Sequence, residues 1–373
     1  MYRYNNFLAL HEDFIGKKSE VSYELYRKIF DQQNIAFGSS STDDCDTCLK
    51  FKSHKSQLEG TEHNENECEL CQRSEIHLKK ASEAREHYRK DMKENNCFCV
   101  DMQKVIILLK LATKESFFTS RLVCFNETFA SGDEGKDYTV MWHEGISGRK
   151  ACDVASAYTK FFTETNTKFP ILWADNCAGQ NKNWVLYSSF VQIVNADWGP
   201  EEITMKYLEP GHTFMKADTV HGVIGKRMKR TPEIVTFKEL TSLVSSSSSR
   251  ISMIEMNVDD FYKYLPGNRA RNTKNVRLPK LSDIVEVKFA KDSRLMYYKG
   301  SHEENEYTGV DFLKVKFDVN CFPEKLRVPR GISSKKQAGI VQILSHVDPL
   351  KRKFYTELYI NDASEDLVSR FDL

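Results

Sequence analysis

The chain has 373 residues, 40% hydrophobic and 29% charged, with a formal net charge of +1. That length allows one large domain with appendages or two to three domains, with ample core. Near-neutral charge argues against a wholesale polyanion binder, so nucleic-acid contact has to come from local patches. No apolar run approaches the eighteen residues of a membrane span.

The first residues, MYRYNNFLALHEDF, lack the charged and apolar regions of a signal peptide. Residues 19–36 read as an amphipathic helix with a stripe of Val21, Leu25, Ile29 and Phe30. Next come two C-x-x-C pairs, Cys45/Cys48 and Cys68/Cys71, separated by the nineteen residues 49 to 67. Each pair lets two thiolates chelate one ion, and together they predict a tetrahedral four-cysteine zinc site that staples a loop too polar to fold alone. His54, His63 and His77 stand close enough in sequence to replace a cysteine. A metal site accounts for these cysteines better than a disulfide framework, and points to a reducing compartment, nuclear or cytoplasmic. Residues 74–95 read as a long charged helix, solvated rather than bound to nucleic acid.

From Phe98 the pattern changes. Phe98–Asp101, Leu122–Phe129 and Tyr138–Trp142 read as strands, the last two joined by a hairpin turn at Ser131–Gly135. A helix over Arg149–Phe162 follows, then a strand at Phe169–Trp173, a helix at Trp184–Val194 and a strand at Ile203–Leu208. A final helix begins near Asp218 and runs to the basic end Lys226, Arg227, Lys229 and Arg230. Three antiparallel strands followed by alternating β and α units predict a mixed α/β sheet with helices on both faces. In that layout Asp101 lies on the first strand, Asp175 at the end of the fourth and Asp218 on the helix after the fifth. Carboxylates at the carboxyl edge of an α/β sheet stand where such sheets place ligands, and converging there they would suit Mg²⁺ or Mn²⁺. Read one by one, the three acids serve equally well as helix caps or turn residues.

Beyond this, Ser245 to Ser249 marks a flexible stretch. Arg269, Arg271, Lys274, Arg277 and Lys280 form a basic run without acids, and Lys325, Arg327, Arg330, Lys335 and Lys336 form a second. Both are phosphate-backbone candidates, against the plainer reading of solvated linker. Val258–Leu265 reads as a short helix, Ile284–Phe289, Leu295–Lys299 and Leu313–Phe317 as strands, and Ser333–Leu344 as a helix. The organisation expected is a helical zinc module over 1–96, a core over 97–240, a Ser-rich and basic linker over 241–282 and an accessory α+β region over 283–373.

Several motifs stand in one order: Cys45-Asp46-Thr47-Cys48, Asp101-Met102-Gln103-Lys104, Met141-Trp142-His143-Glu144, the run Asp175 to Asn183, and Gly211 to Asp218. In this combination the chain resembles a large set of transposon-derived proteins that carry a ribonuclease H-like, integrase-like domain of unknown function. The resemblance runs from about residue 20 to beyond 350. It implies a ribonuclease H-like fold and descent from a DDE/DDD transposase, with DNA as partner and homo-oligomerisation compatible with that ancestry. It implies that Asp101, Asp175 and Asp218 hold Mg²⁺ or Mn²⁺ for phosphodiester chemistry, with Asn176, Gln180 and Asn181 orienting phosphate or carboxylates and His212 or His221 moving a proton. One departure stands out: such proteins usually read Ile-Glu where this chain reads Ile224-Gly225. If that Glu is the third ligand, this copy is an inactive, domesticated binder of nucleic acid or protein; if Asp218 is, the triad is intact. A purely zinc-stapled interaction protein is the third reading, and an upstream DNA-binding domain missing from this sequence is compatible with all three.

Overall fold

The computed structural model describes Ser22 and residues 45–58, 63–111, 119–132, 135–269, 272–273, 276–364 and 367. The helix expected over 19–36 and the basic residues Arg271 and Lys274 lie outside the described residues.

Two helices come first, α1 (Asp46–Gln57) and α2 (Glu69–Asp91). No residue of α1 is buried, so apolar packing does not explain its place, whereas α2 buries Cys71, Ser74, His77, Ala84 and Tyr88. The core follows in the order the apolar pattern predicts, with one short strand, β2, added: β1 (Cys97–Met102), β2 (Ile106–Leu108), β3 (Leu122–Ser131), β4 (Asp137–His143), α3 (Ala151–Thr165), β5 (Ile171–Ala174), α4 (Trp184–Val194), β6 (Glu202–Tyr207) and α5 (Lys216–Arg230). α6 (Phe237–Ser245) and β7 (Ile251–Glu255) complete this part, and β8 (Asn272–Thr273) and β9 (Val276–Arg277) then form a separate antiparallel pair.

The chain is a mixed α/β protein built on a ten-stranded sheet flanked by helices. Its order is β12-β11-β10-β6-β5-β1-β3-β4-β7, with β2 beside β3; here β10 is Glu286–Ala290, β11 Met296–Lys299 and β12 Thr308–Val310. β3 pairs antiparallel with β1 and β4, while β5 runs parallel to β1 and to β6. The strands are apolar on both faces, as a doubly covered sheet requires: β3 is buried at every position. Alternate residues feed two cores. Phe98, Val100, Phe125 and Phe129 meet Tyr158, Phe161 and Phe190 of α3 and α4; Cys99, Cys124 and Ala130 belong to the core of α2, α5 and α6.

The structure corrects two expectations. The stretch 241–282 is no free linker, because the serines close α6 and lead into β7, which pairs parallel with β4. Nor does the region after 283 stand apart, since β10 pairs antiparallel with β6 and carries β11 and β12 into the same sheet. Both edges of the core sheet offered unpaired backbone, and these strands satisfy it. The helix expected over Val258–Leu265 shrinks to a single 3-10 turn at Val258–Asp260, and β12 forms at Thr308–Val310 instead of Leu313–Phe317. α7 (Ser334–Ile343) and α8 (Pro349–Thr356) then add Ile340, Ile343 and Tyr355 to the core of α2, α5 and α6. Lys336 of α7 is buried with its ammonium 2.5 Å from Glu144, whose Oε1 also accepts from Val123 N at 2.8 Å; Arg330 lies 3.7 Å from the same carboxylate. Those two members of the second basic run therefore neutralise a buried acid of the fold.

Candidate metal centres and a carboxylate cleft

The four cysteines do not converge on one point; the structure divides them between two groups, each of two cysteines and two histidines, that could hold metal ions. Cys45, Cys48, His77 and His212 form one group, and His54, His63, Cys68 and Cys71 the other, the four ligand atoms of each lying within 4.8 Å of one another. The reason is helical spacing. Cys48 and His54 lie six residues apart on α1, as do Cys71 and His77 on α2, a rise of ~9 Å. With the helices antiparallel, the start of each meets the later part of the other, so two centres form where a four-cysteine site would need the two helix starts to coincide. Cys45 and Cys68 sit at the N-caps of α1 and α2. In the first group, His77 Nε2 lies 3.2 Å from Cys45 Sγ and 3.1 Å from His212 Nε2, and His212 Nε2 is 3.4 Å from Cys48 Sγ. In the second, His54 Nε2 is 3.2 Å from Cys68 Sγ and His63 Nε2 is 3.3 Å from Cys71 Sγ. A tetrahedral ion with metal–sulfur bonds of ~2.3 Å and metal–nitrogen bonds of ~2.0 Å separates its ligand atoms by roughly 3.3–3.8 Å, and these spacings approach that range.

The surroundings of the first group fit the same use. Glu209 Oε1 accepts from His77 Nδ1 at 3.0 Å, which leaves the Nε2 lone pair facing the group. Gly211 adopts φ +80°, and a Cβ there would stand 2.7 Å from Cys45 Cβ and Sγ; only glycine allows both the turn and the approach. In the second group, the Cys71 backbone N–H at the Cys68 sulfur holds that thiol below its ordinary pKa. His212, expected as a proton carrier, belongs to the first group, and burial followed by the neighbouring His77 lowers its pKa. It also joins the α1–α2 module to the loop between β6 and α5.

That loop leads to the carboxylates. Val100 of β1 pairs with Ala174 of β5 in parallel register, so Asp101 and Asp175 emerge side by side at the carboxyl ends of neighbouring strands. Asp218 lies in the first turn of α5, where its Oδ2 accepts from Met215 N at 2.7 Å. Donor atoms of Asp101, Asp218 and His221 lie within 4.8 Å of one another. Asp175 is not in that closest group but lines the same 880 Å³ cleft as Asp101 and Asp218. Burial first, then the charges of Asp175 and Asp218, push the Asp101 carboxyl up to about 7. His221 Nδ1 is 3.8 Å from Asp101 Oδ2, and its Nε2 lies 3.0 Å from Thr128 Oγ1. Burial pushes His221 down to about 4, so in this state it stays neutral near pH 7 rather than titrating there.

Of the expected positioning residues, Asn181 touches a carboxylate. Its Nδ2 donates to Asp175 Oδ1 at 2.9 Å, while its Oδ1 accepts from Tyr158 Oη at 3.1 Å. Asn176 instead ties the loop to Leu208 O and accepts from Lys182 Nζ, and Gln180 Nε2 lies 3.5 Å from Met102 Sδ. Lys226, Arg227, Lys229 and Arg230 lie along the last turns of α5, Arg227, Lys229 and Arg230 on its final turn. Arg269, expected as a phosphate contact, has its guanidinium paired with Asp311 at 3.0 Å and donating to Leu313 O. Arg277 falls in the two-residue strand Val276–Arg277.

Sequence reasoning misses Glu127 and Lys182. Glu127 on β3 is fully buried, neither carboxylate oxygen has a hydrogen-bond partner among the described residues, and burial with the charges of Asp101 and Asp175 raises its pKa well above the usual range. An acid inside the apolar run Leu122–Phe129 is the available signal. Lys182 is 5% exposed, and burial lowers it to about 8.

Residues 159–303 match a family model described as "Domain of unknown function (DUF7869)". The match spans β5, α4, β6 and α5, and with them Asp175, His212 and Asp218. No curated protein and no solved structure matches the chain.

Proposed function

We propose that this chain is a transposase-derived, ribonuclease H-like protein whose carboxylate cleft acts on DNA phosphodiesters as a metal-dependent nuclease or strand transferase. The observation that carries the reading is the convergence of Asp101, Asp218 and His221 within 4.8 Å, with Asp175 beside Asp101 at the sheet's carboxyl edge. Oxygen donors from three separate elements, with one imidazole, suit Mg²⁺ or Mn²⁺. Such ions supply the positive charge that stabilises the attacking and leaving oxygens of a phosphodiester. The chain's own part is to hold the donors: Asn181 and the Cys177 amide fix Asp175 Oδ1, Met215 N fixes Asp218, and Thr128 turns His221 toward Asp101. In this reading zinc fills the two cysteine–histidine groups as a structural ion, since thiolate and imidazole donors in fours favour it. The first zinc then fastens the α1–α2 module over the cleft through His212.

The alternative, a domesticated copy that binds nucleic acid or protein without catalysis, is favoured by Gly225. It lies seven residues, two helical turns, beyond Asp218, and a Cβ there meets nothing within 4 Å among the described residues. Calorimetry with Mn²⁺ on zinc-loaded protein tests the choice. Binding by the wild type that disappears in Asp175→Asn supports the cation site and justifies assays on DNA ends. Absence of binding in both proteins retires the nuclease reading in favour of the binder.

A further inference from the structure

The cleft that holds the carboxylates is chemically two-sided. One part carries Asp101, Asp175 and Asp218; another carries Leu78 and Ala81 of α2 with Phe214 and Met215 of the loop before α5. Phe214 is 71% exposed and Leu78 45%. A lone exposed apolar side chain is ordinary, but the setting of Phe214 is not. Its backbone is fastened: Arg85 donates from Nη1 to Phe214 O at 2.7 Å and from Nη2 to His212 O at 2.9 Å, while the guanidinium lies 5.3 Å from the Tyr88 ring centre. His212 is in turn part of the first cysteine–histidine group. The fold thus fastens the peptide of an aromatic ring while leaving the ring in solvent, in a cleft it shares with Asp101, Asp175 and Asp218.

We propose that Phe214 is a stacking platform for an unpaired nucleobase, so that the strand handled in this cleft is single-stranded, frayed or flipped out rather than part of an intact duplex. This rests on the phosphodiester reading of the carboxylates and adds the form of the substrate. A nucleotide has the same two-sided chemistry as the cleft, its phosphate suited to cations held by the carboxylates and its base to an apolar wall. The cleft volume of 880 Å³ falls in the range that encloses small organic ligands. In a duplex both faces of a base are occupied by its stacked neighbours, so a base must leave the stack before a protein ring can take one of them. Stacking on an aromatic side chain is tolerant of sequence, because every base has a face to offer the ring.

The test uses the full zinc-loaded chain with Ca²⁺ present to prevent turnover, and a DNA oligonucleotide carrying 2-aminopurine, offered as single strand and as blunt duplex. Wild type, Phe214→Ala and Phe214→Trp are compared by anisotropy and by 2-aminopurine fluorescence, with Mn²⁺ calorimetry reporting whether each variant keeps its cation site. The expected result is tighter binding of single strand than duplex, a change in 2-aminopurine emission on binding, and a loss of roughly 5- to 100-fold in single-strand affinity for Phe214→Ala that Phe214→Trp restores. Equal single-strand affinity for wild type and Phe214→Ala overturns the stacking role, as does a preference of the wild type for duplex; in either case Mn²⁺ binding that depends on Asp175 leaves the phosphodiester reading standing. If neither form of DNA binds the wild type, the reading beneath the proposal fails together with it.

Discussion

The Cys45–Cys48–His77–His212 group and the Asp101–Asp218–His221 group share the loop that runs from β6 into α5, yet they are held in contrary ways. In the first, thiol and imidazole side chains rest against one another, Glu209 orients one ring, and Gly211 fits under Cys45. The second brings acids together at a partly buried edge, where desolvation and like charge oppose ionisation and lift Asp101 to about 7. One cluster is arranged to gain stability from an ion; the other costs the fold stability whenever its carboxylates are ionised without one. A donor set that destabilises the free protein persists most readily where function uses it.

The largest expected effect comes from breaking the Cys/His side. Structural zinc in small modules contributes on the order of 10–16 kcal/mol of apparent binding energy at neutral pH. His212→Ala is expected to lower the zinc content from two ions per chain to one and to depress the melting temperature sharply. Cys71→Ser is expected to remove the other ion and to loosen the later part of α1 from the start of α2. Metal analysis after exhaustive dialysis, paired with thermal melts, checks both; a wild-type content of one zinc per chain would contradict the division of the cysteines.

A smaller and opposite effect is expected on the carboxylate side. Asp101 ionises near pH 4 in the unfolded chain and near 7 in the fold. Between those values the folded state binds the extra proton, so metal-free stability falls as pH rises through that window, by on the order of 4 kcal/mol in total. Asp101→Asn removes this slope. It should therefore stabilise the metal-free protein at pH 7.5 relative to wild type, by far less at pH 4, while Mn²⁺ binding is lost. Urea melts at the two pH values measure it, and a variant less stable than wild type at pH 7.5 would overturn the assignment.

Legibility in the sequence follows the same division. The core elements are readable because each strand is an apolar run bounded by turns and each helix carries a stripe, and Asp101 and Asp175 follow because parallel neighbours put strand ends together. The two cysteine–histidine groups escape a reading by spacing because their sorting depends on how α1 lies against α2, and a polar helix without buried residues leaves no periodic trace of that packing. His212 stands 135 residues beyond His77, a separation that no local spacing rule spans. The late strands read as a separate region because pairing of β10 with β6 depends on an open sheet edge, which only the assembled core defines. Glu127 disappears into an apolar strand, and that its oxygens have no hydrogen-bond partner among the described residues shows only in three dimensions.

Gly211 links the two clusters and allows a finer test. Alanine there faces both the left-handed φ of +80° and contact at 2.7 Å with Cys45. The expected cost is about 1–3 kcal/mol, felt as weaker zinc retention in a chelator competition that involves the first centre and spares the second. Equal loss from both centres, read by comparing Gly211→Ala with Gly211→Ala/Cys71→Ser, would mean that the two are one cooperative unit.

The smallest effect expected, and the most informative about activity, is at Gly225. Asp218, His221 and Gly225 lie at i, i+3 and i+7 of α5 and share one helical face, and a Cβ at 225 meets nothing within 4 Å among the described residues. Gly225→Glu should therefore fit without displacing a neighbour and should add about 0.5–1 kcal/mol of helix stability, because glycine is a poor residue in a helix interior. If that face of α5 approaches the cations, the new carboxylate will raise Mn²⁺ affinity several-fold, on the order of 1 kcal/mol, and it will do so only while Asp101 is present. Calorimetry on Gly225→Glu and on Gly225→Glu/Asp101→Asn separates the two contributions. A gain in melting temperature with unchanged Mn²⁺ affinity would place position 225 beyond reach of the cation site and leave Asp218 as the donor that α5 supplies. A gain in affinity would mean that this chain has kept the scaffold of a fuller carboxylate site and lacks one side chain of it.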